Sequence, residues 1–201
     1  MTQFEIKDGV AIIPEGTTEI PFRAFLNCED LTSVVIPDSV TCIVNGAFFG
    51  CSSLIEIVIP NSVTSIGAGA FSYCSSLKDI VIPNSVTRIE HHAFSCCTSL
   101  TNIVIPNGVT SIGDNAFCCS TRRRLVIRNL VAKKEATTIK KASSLTSVIL
   151  PESLTELGKD VFLGCEKLET IYVPTKKANF YREHLPETLH DKIVEFELEQ
   201  K

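Results

Sequence analysis

Residues 62–84 read SVTSIGAGAFSYCSSLKDIVIPN, and residues 85–107 read SVTRIEHHAFSCCTSLTNIVIPN. The second stretch restates the first at a spacing of 23 residues. Pro14, Pro37, Pro60, Pro83 and Pro106 carry that spacing through the first half of the chain. Arg128 follows 22 residues later, and Pro151 and Pro174 resume at 23 each. The register therefore passes through a weak sixth unit that lacks its Pro and is one residue short. Self-similarity at a fixed period of this size is the mark of a stacked repeat architecture.

Inside each unit the pattern is Leu-x-x-Ile-x-Ile-Pro. Leu54, Ile57 and Ile59 precede Pro60; Leu77, Ile80 and Ile82 precede Pro83; Leu100, Ile103 and Ile105 precede Pro106. The end of the pattern alternates like a short strand, and Pro stops it because it has no N–H to give to a ladder. Val63 and Ile66, a Gly-containing turn, the pair Ala70-Phe71 and then Cys74 follow. Nothing here has a helical period, so each coil is predicted as one strand plus a turn-rich return. One such coil cannot bury its own apolar side. Stacked coils can, with equivalent residues in columns about 4.8 Å apart. The predicted spine is Phe25, Phe48, Phe71, Phe94, Phe117 and Phe162, with Ile139 in the sixth unit. Each buried Phe contributes roughly 2–3 kcal/mol.

Written out, Leu-x-x-Ile-x-Ile-Pro-x-x-Val-x-x-Ile-x-x-x-Ala-Phe-x-x-Cys resembles the BspA-like leucine-rich repeat, over about residues 9–174. The stretch IYVPTKKANFYREHLPETLHDKIVEF, residues 171–196, is similar to the closing segment of such proteins. The resemblance implies a right-handed curved solenoid with a parallel sheet on its concave face and turns and short helical or 3-10 pieces on its convex side. Residues 1–174 are then about seven coils, with 122–141 a degenerate sixth, and 175–201 a C-terminal cap of helix and strand. It further implies a binding protein, often adhesive and often on the surface of bacteria or parasitic protists, and brings no catalytic motif.

Composition narrows the classes. The chain has 201 residues, a net charge of −4, no Trp and three Tyr. The N-terminal MTQFEIKDGV lacks the basic start and apolar run of a secretory leader, and no run approaches a membrane span. No Asn heads an N-x-Ser/Thr acceptor. The expectation is a cytoplasmic protein without membrane insertion, or a surface or secreted one if a leader is missing from this sequence. Of nine Cys, five form a column that follows the repeat, Cys28, Cys51, Cys74, Cys97 and Cys165, with Ser120 and Ala142 in the gaps, and are expected as small buried hydrophobes. The doubled pairs Cys96-Cys97 and Cys118-Cys119 lack the gap of two to four residues that zinc favours, so neither metal nor cofactor is expected. His91 and His92 are expected to face solvent. No nucleophile, phosphate loop or carboxylate pair stands out, which argues against an enzyme.

Two surfaces remain. Two residues before each Pro stand Val35, Val58, Val81, Val104, Val126, Ile149 and Tyr172. If their neighbours point inward, this row points outward as an apolar strip of roughly 300 Å², near the largest patch that a monomer leaves bare. The dull alternative is that β-branched residues suit strands. Flanking it are Ser33, Glu56, Asp79, Asn102, Arg124, Ser147 and Thr170, which change from coil to coil. The sixth unit is basic, with Arg122, Arg123, Arg124, Arg128, Lys133, Lys134, Lys140 and Lys141. It is either a decayed coil or a secondary dock for an acidic partner; without interleaved aromatics it does not suggest nucleic acid. The leading expectation is a protein-binding module using the Val strip. A scaffold or regulator inside the cell, or a structural protein that self-associates through the strip, are the other readings.

Overall fold

The computed structural model describes residues 4–100, 102–118, 147–165 and 168–197. It is a β-solenoid of parallel coils. One ladder is opened by an antiparallel pair, Ile6–Lys7 with Val10–Ile12. It continues in parallel through Ser33–Val35, Glu56–Val58, Asp79–Val81 and Asn102–Val104, each strand 23 residues after the last. This is the first sheet. Within it Ala11, Val34 and Ile57 are buried and their neighbours on either side are not fully so, the period of two that a half-buried strand requires; Ile80 is buried too, with Val81 after it exposed.

The turn-rich return expected from the sequence is present, with turns over residues 22–27, 45–50, 68–73 and 91–96. In addition, a second ladder that was not expected runs through Glu19–Ile20, Cys42–Ile43, Ser65–Ile66, Arg88–Ile89, Ser111–Ile112 and Glu156–Leu157. Two-residue strands are too short to leave a readable alternation. The Ser-Val-Thr of the opening stretch explains how the ladder is held. Val40, Val63, Val86 and Val109 fill the core. Ser39, Ser62, Ser85 and Ser153 donate their hydroxyls to Thr17, Val40, Val63 and Val109 carbonyls one coil back, at 2.6–2.8 Å. Thr41, Thr64, Thr87, Thr110 and Thr155 do the same to the preceding Thr, at 3.1–3.4 Å.

Ser111 pairs directly with Glu156, and Ile112 with Leu157. Residues 45 apart are thus direct neighbours on this ladder, where 23 is the rule. The residues 122–141, including Ile139, lie outside the described residues. On the other side, Ser147–Ile149 belongs to a separate three-stranded ladder with Thr170–Pro174 and Ile193–Phe196.

Down the middle runs the Phe stack. Phe25, Phe48, Phe71, Phe94 and Phe117 are fully buried, with successive centroids 5.2–5.4 Å apart and planes within 8° of parallel. Phe4 extends the stack at the N-terminal end, 5.5 Å from Phe25. At the other end a short helix, Ala178–His184, buries Ala178 and Tyr181, and the Tyr181 hydroxyl donates to the Pro151 carbonyl at 2.6 Å.

The corner beside the stack needs left-handed backbone twice per coil. Arg23, Gly46, Gly69, His92, Asn115 and Asp160 hold one such column, with φ between 55° and 64°. Asn27, Gly50, Tyr73, Cys96 and Gly164 hold the second. Glycine adopts this conformation without strain, whereas Arg, His, Tyr or Cys there costs about 1 kcal/mol.

Candidate protein-binding surface

Strand alternation places Val35, Val58 and Val81 of the predicted row outward. Val58 is 79% exposed, Val81 71% and Val35 55%, while Ile57, Ile59, Ile80 and Ile82 beside them are buried. Pairing brings Val58 opposite Val81 and Ile12 opposite Val35, so the side chains form a file along the solenoid. Ile12, 69% exposed, heads the file and was missed by the sequence reading. Its signal was present, since it stands two residues before Pro14. Val104 pairs with Val81 in the same file of strands. Tyr172 is exposed and Ile149 half-buried on the separate C-terminal ladder, where they pair with each other.

Along the polar edge, Glu56 is exposed and Ser33, Ser147 and Thr170 are half-buried. Asp79 and Asn102 occupy the same register, paired as Glu56 with Asp79 and Asp79 with Asn102. Val126 and the basic residues Arg122, Arg123, Arg124, Arg128, Lys133 and Lys134 lie outside the described residues. The outward positions of the second sheet have a different character. They are Glu19, Cys42, Ser65, Arg88, Ser111 and Glu156, tied by contacts such as Ser111 Oγ to Glu156 Oε2 at 2.8 Å and Arg88 to Glu90 at 2.9 Å.

The cysteine column has a role beyond filling space. The thiols of Cys51, Cys74 and Cys97 donate to the carbonyls of Phe25, Phe48 and Phe71 one coil back, at 3.0, 3.1 and 3.0 Å. Burial, with a smaller contribution from Cys28, pushes the Cys51 thiol from 9.0 up to about 12. Burial first, then the neighbouring Cys97 and Cys51, moves Cys74 in the same direction. Thiols held neutral in this way are poor nucleophiles. His91 and His92 are exposed. His91 Nδ1 accepts the Asp114 backbone N–H at 2.9 Å, which makes it a coil-to-coil link like Asn45 Oδ1 with Ala68 N–H. Among the described residues, no group of three or more His, Cys, Asp or Glu is placed to hold a metal.

A model of the BspA type leucine rich repeat region, in six copies, matches residues 9–123 and 64–185. The chain belongs to the BspA-type leucine-rich repeat family. Such repeats commonly mediate protein binding or adhesion, and their fold is generally non-catalytic. No curated protein matches the chain significantly. Among solved structures it is similar to a T. pallidum leucine rich repeat protein, with 28% identity and a TM-score of 0.57 over 85% of this chain and 68% of that one. It also shares its fold with the pneumococcal vaccine antigen PcpA, with 19% identity and a TM-score of 0.66 over 95% of this chain and 42% of that one. The BspA-type coils described here therefore span about two thirds of the first protein and less than half of the second. No helix among the described residues is long and apolar enough to cross a membrane.

Proposed function

We propose that this chain is a non-catalytic, adhesin-like protein-binding module that holds its partner on the outward face of the first sheet. The observation that carries this reading is the file Ile12, Val35, Val58 and Val81, each more than half exposed on consecutive strands. β-branched side chains are stiff, so covering them costs little rotamer freedom. They neither donate nor accept hydrogen bonds, so a partner gains from them by removing apolar area from water, at about 25 cal/mol per Å². Glu56, with Asp79 and Asn102 at the same register, supplies the polar rim that discriminates between partners. The basic residues Arg122, Arg123, Arg124, Arg128, Lys133 and Lys134 would serve a secondary acidic contact.

The test is a binding comparison between the wild type and a Val35, Val58, Val81→Asp triple variant whose fold is checked by circular dichroism. Purified extracellular-matrix proteins and a lysate of the native organism are the two sources of partner. A partner kept by the wild type and lost by the folded variant supports the reading. Equal retention by both removes the first sheet from the interface. Concentration-dependent light scattering of the wild type, abolished in the variant, would make the partner a second copy of the same chain.

A further inference from the structure

A groove of about 550 Å³ runs along the corner beside the Phe stack, from Phe22 in the first coil to Leu163 in the seventh, which is the sixth along the second ladder. It lies on the turns, away from the first sheet, and its residues follow no column that sequence reading would single out. Phe22 is 60% exposed and Tyr73 46%, and the Tyr73 ring meets Phe49 with centroids 5.3 Å apart. These rings rise over a floor that includes Gly46 and Gly69.

The walls come from the left-handed turn positions. Arg23 and His92 stand where Gly46 and Gly69 stand in other coils, and Tyr73 stands where Gly50 and Gly164 do. The chain's own repeats show that glycine serves the turn equally well. Arg23, Tyr73, His92 and Asn115 all line one groove, whereas Asn27, Cys96 and Asp160 keep the same backbone without lining it; the gathering of the four points to use of the groove rather than to the turn.

Charge narrows the occupant. The molecule as a whole is acidic, at −4, yet the groove is lined by Arg23, His91 and His92 and by no carboxylate. Beside it Asp114 lies 3.7 Å from His91, its other oxygen accepting the Lys159 backbone N–H at 2.6 Å. The Arg23 guanidinium lies 4.8 Å over the Phe22 ring, so an aromatic surface and a fixed cation are offered together. Six coils at about 4.8 Å spacing give the groove a length of about 24 Å, which is the span of about seven extended residues.

We propose that this groove is a second binding site, separate from the sheet, which takes an extended acidic peptide with apolar side chains. Its apolar residues sit against Phe22, Phe49 and Tyr73, and a carboxylate pairs with Arg23. The proposal does not depend on the reading of the Val file.

The experiment is selection of displayed heptapeptides on the full chain, followed by fluorescence polarisation with the enriched peptide. The expected result is enrichment of sequences that join Asp or Glu to aromatic or aliphatic residues. Affinity should fall about tenfold in Arg23→Asn and in Tyr73→Gly. Both replacements suit a left-handed turn, so both variants should melt at or above the wild-type temperature. Val58→Ser should bind the peptide unchanged. The proposal is overturned if nothing is enriched, if the enriched peptides are neutral or basic, or if their affinity survives both turn variants. It is also overturned if a neutral oligosaccharide, and no peptide, is held by the same residues.

Discussion

The two parallel sheets are made by the same coils, yet their outward faces disagree. On the first sheet the file is Ile12, Val35, Val58 and Val81; on the second it is Glu19, Cys42, Ser65, Arg88, Ser111 and Glu156. If β-branched residues stood on the first sheet only because strands favour them, the second sheet would show the same bias. It does not, and its ladder of six strands is unbroken with Ser, Glu and Arg pointing outward. Strand propensity is therefore an insufficient cause for the Val file. The second sheet also explains its own polarity, because its side chains bond to one another and to the preceding coil. The first sheet's outward row makes no such use of its side chains, which leaves it available to a partner.

The largest effect belongs to what both sheets share. Phe71→Ala removes the middle of the stack, and stability to urea should drop by about 3–5 kcal/mol. A drop below about 1 kcal/mol would mean that each sheet stands without the spine, and the comparison would then concern two separate structures. Alkaline pH probes the same interior more gently. An unfolded Cys51 ionises near pH 9.0 and the folded one near 12, so the fold holds the neutral thiol. Its contribution is complete below pH 9 and is lost as pH rises towards 12, by about 1.4 kcal/mol per pH unit. Cys74 and Tyr181, both raised by burial, act in the same direction. Urea midpoints at pH 8, 10 and 11 should fall less steeply in Cys51→Ala than in the wild type. Identical slopes would show that the thiol is solvated.

The smallest effect on stability is the most informative about the faces. Val58→Ser on the first sheet and Ser65→Val on the second each exchange one outward residue for the other sheet's type. Both should change stability by less than about 0.5 kcal/mol. Partner capture should weaken in Val58→Ser and hold in Ser65→Val. The reverse pattern would transfer the binding face to the second sheet.

Much of this was readable in advance because a repeat is its own alignment. The Phe spine and the Leu, Ile and Val positions announced themselves through five near-copies, and the outward Val file followed from alternation. The second ladder did not, since Ser65-Ile66 and its equivalents are only two residues long and the outward one is polar. The groove was hidden for the opposite reason. Its defining residues, Phe22, Arg23, Tyr73 and His92, are departures from the repeat, and departures look like noise until the backbone shows that they share one left-handed corner. The thiol bonds to the Phe carbonyls were also out of reach, because a spacing of 26 residues joins two different columns. Phe4 lies before the first full repeat, so the period could not call attention to it.

The coil-by-coil hydrogen bonding has a mechanical consequence. Its bonds run along the stacking axis, so a pull on the two ends loads one coil boundary after another rather than all of them in shear. Each coil that peels away releases 23 residues, about 75 Å of slack. Such a chain yields in steps and lengthens under load at modest force, the behaviour of an extensible tether.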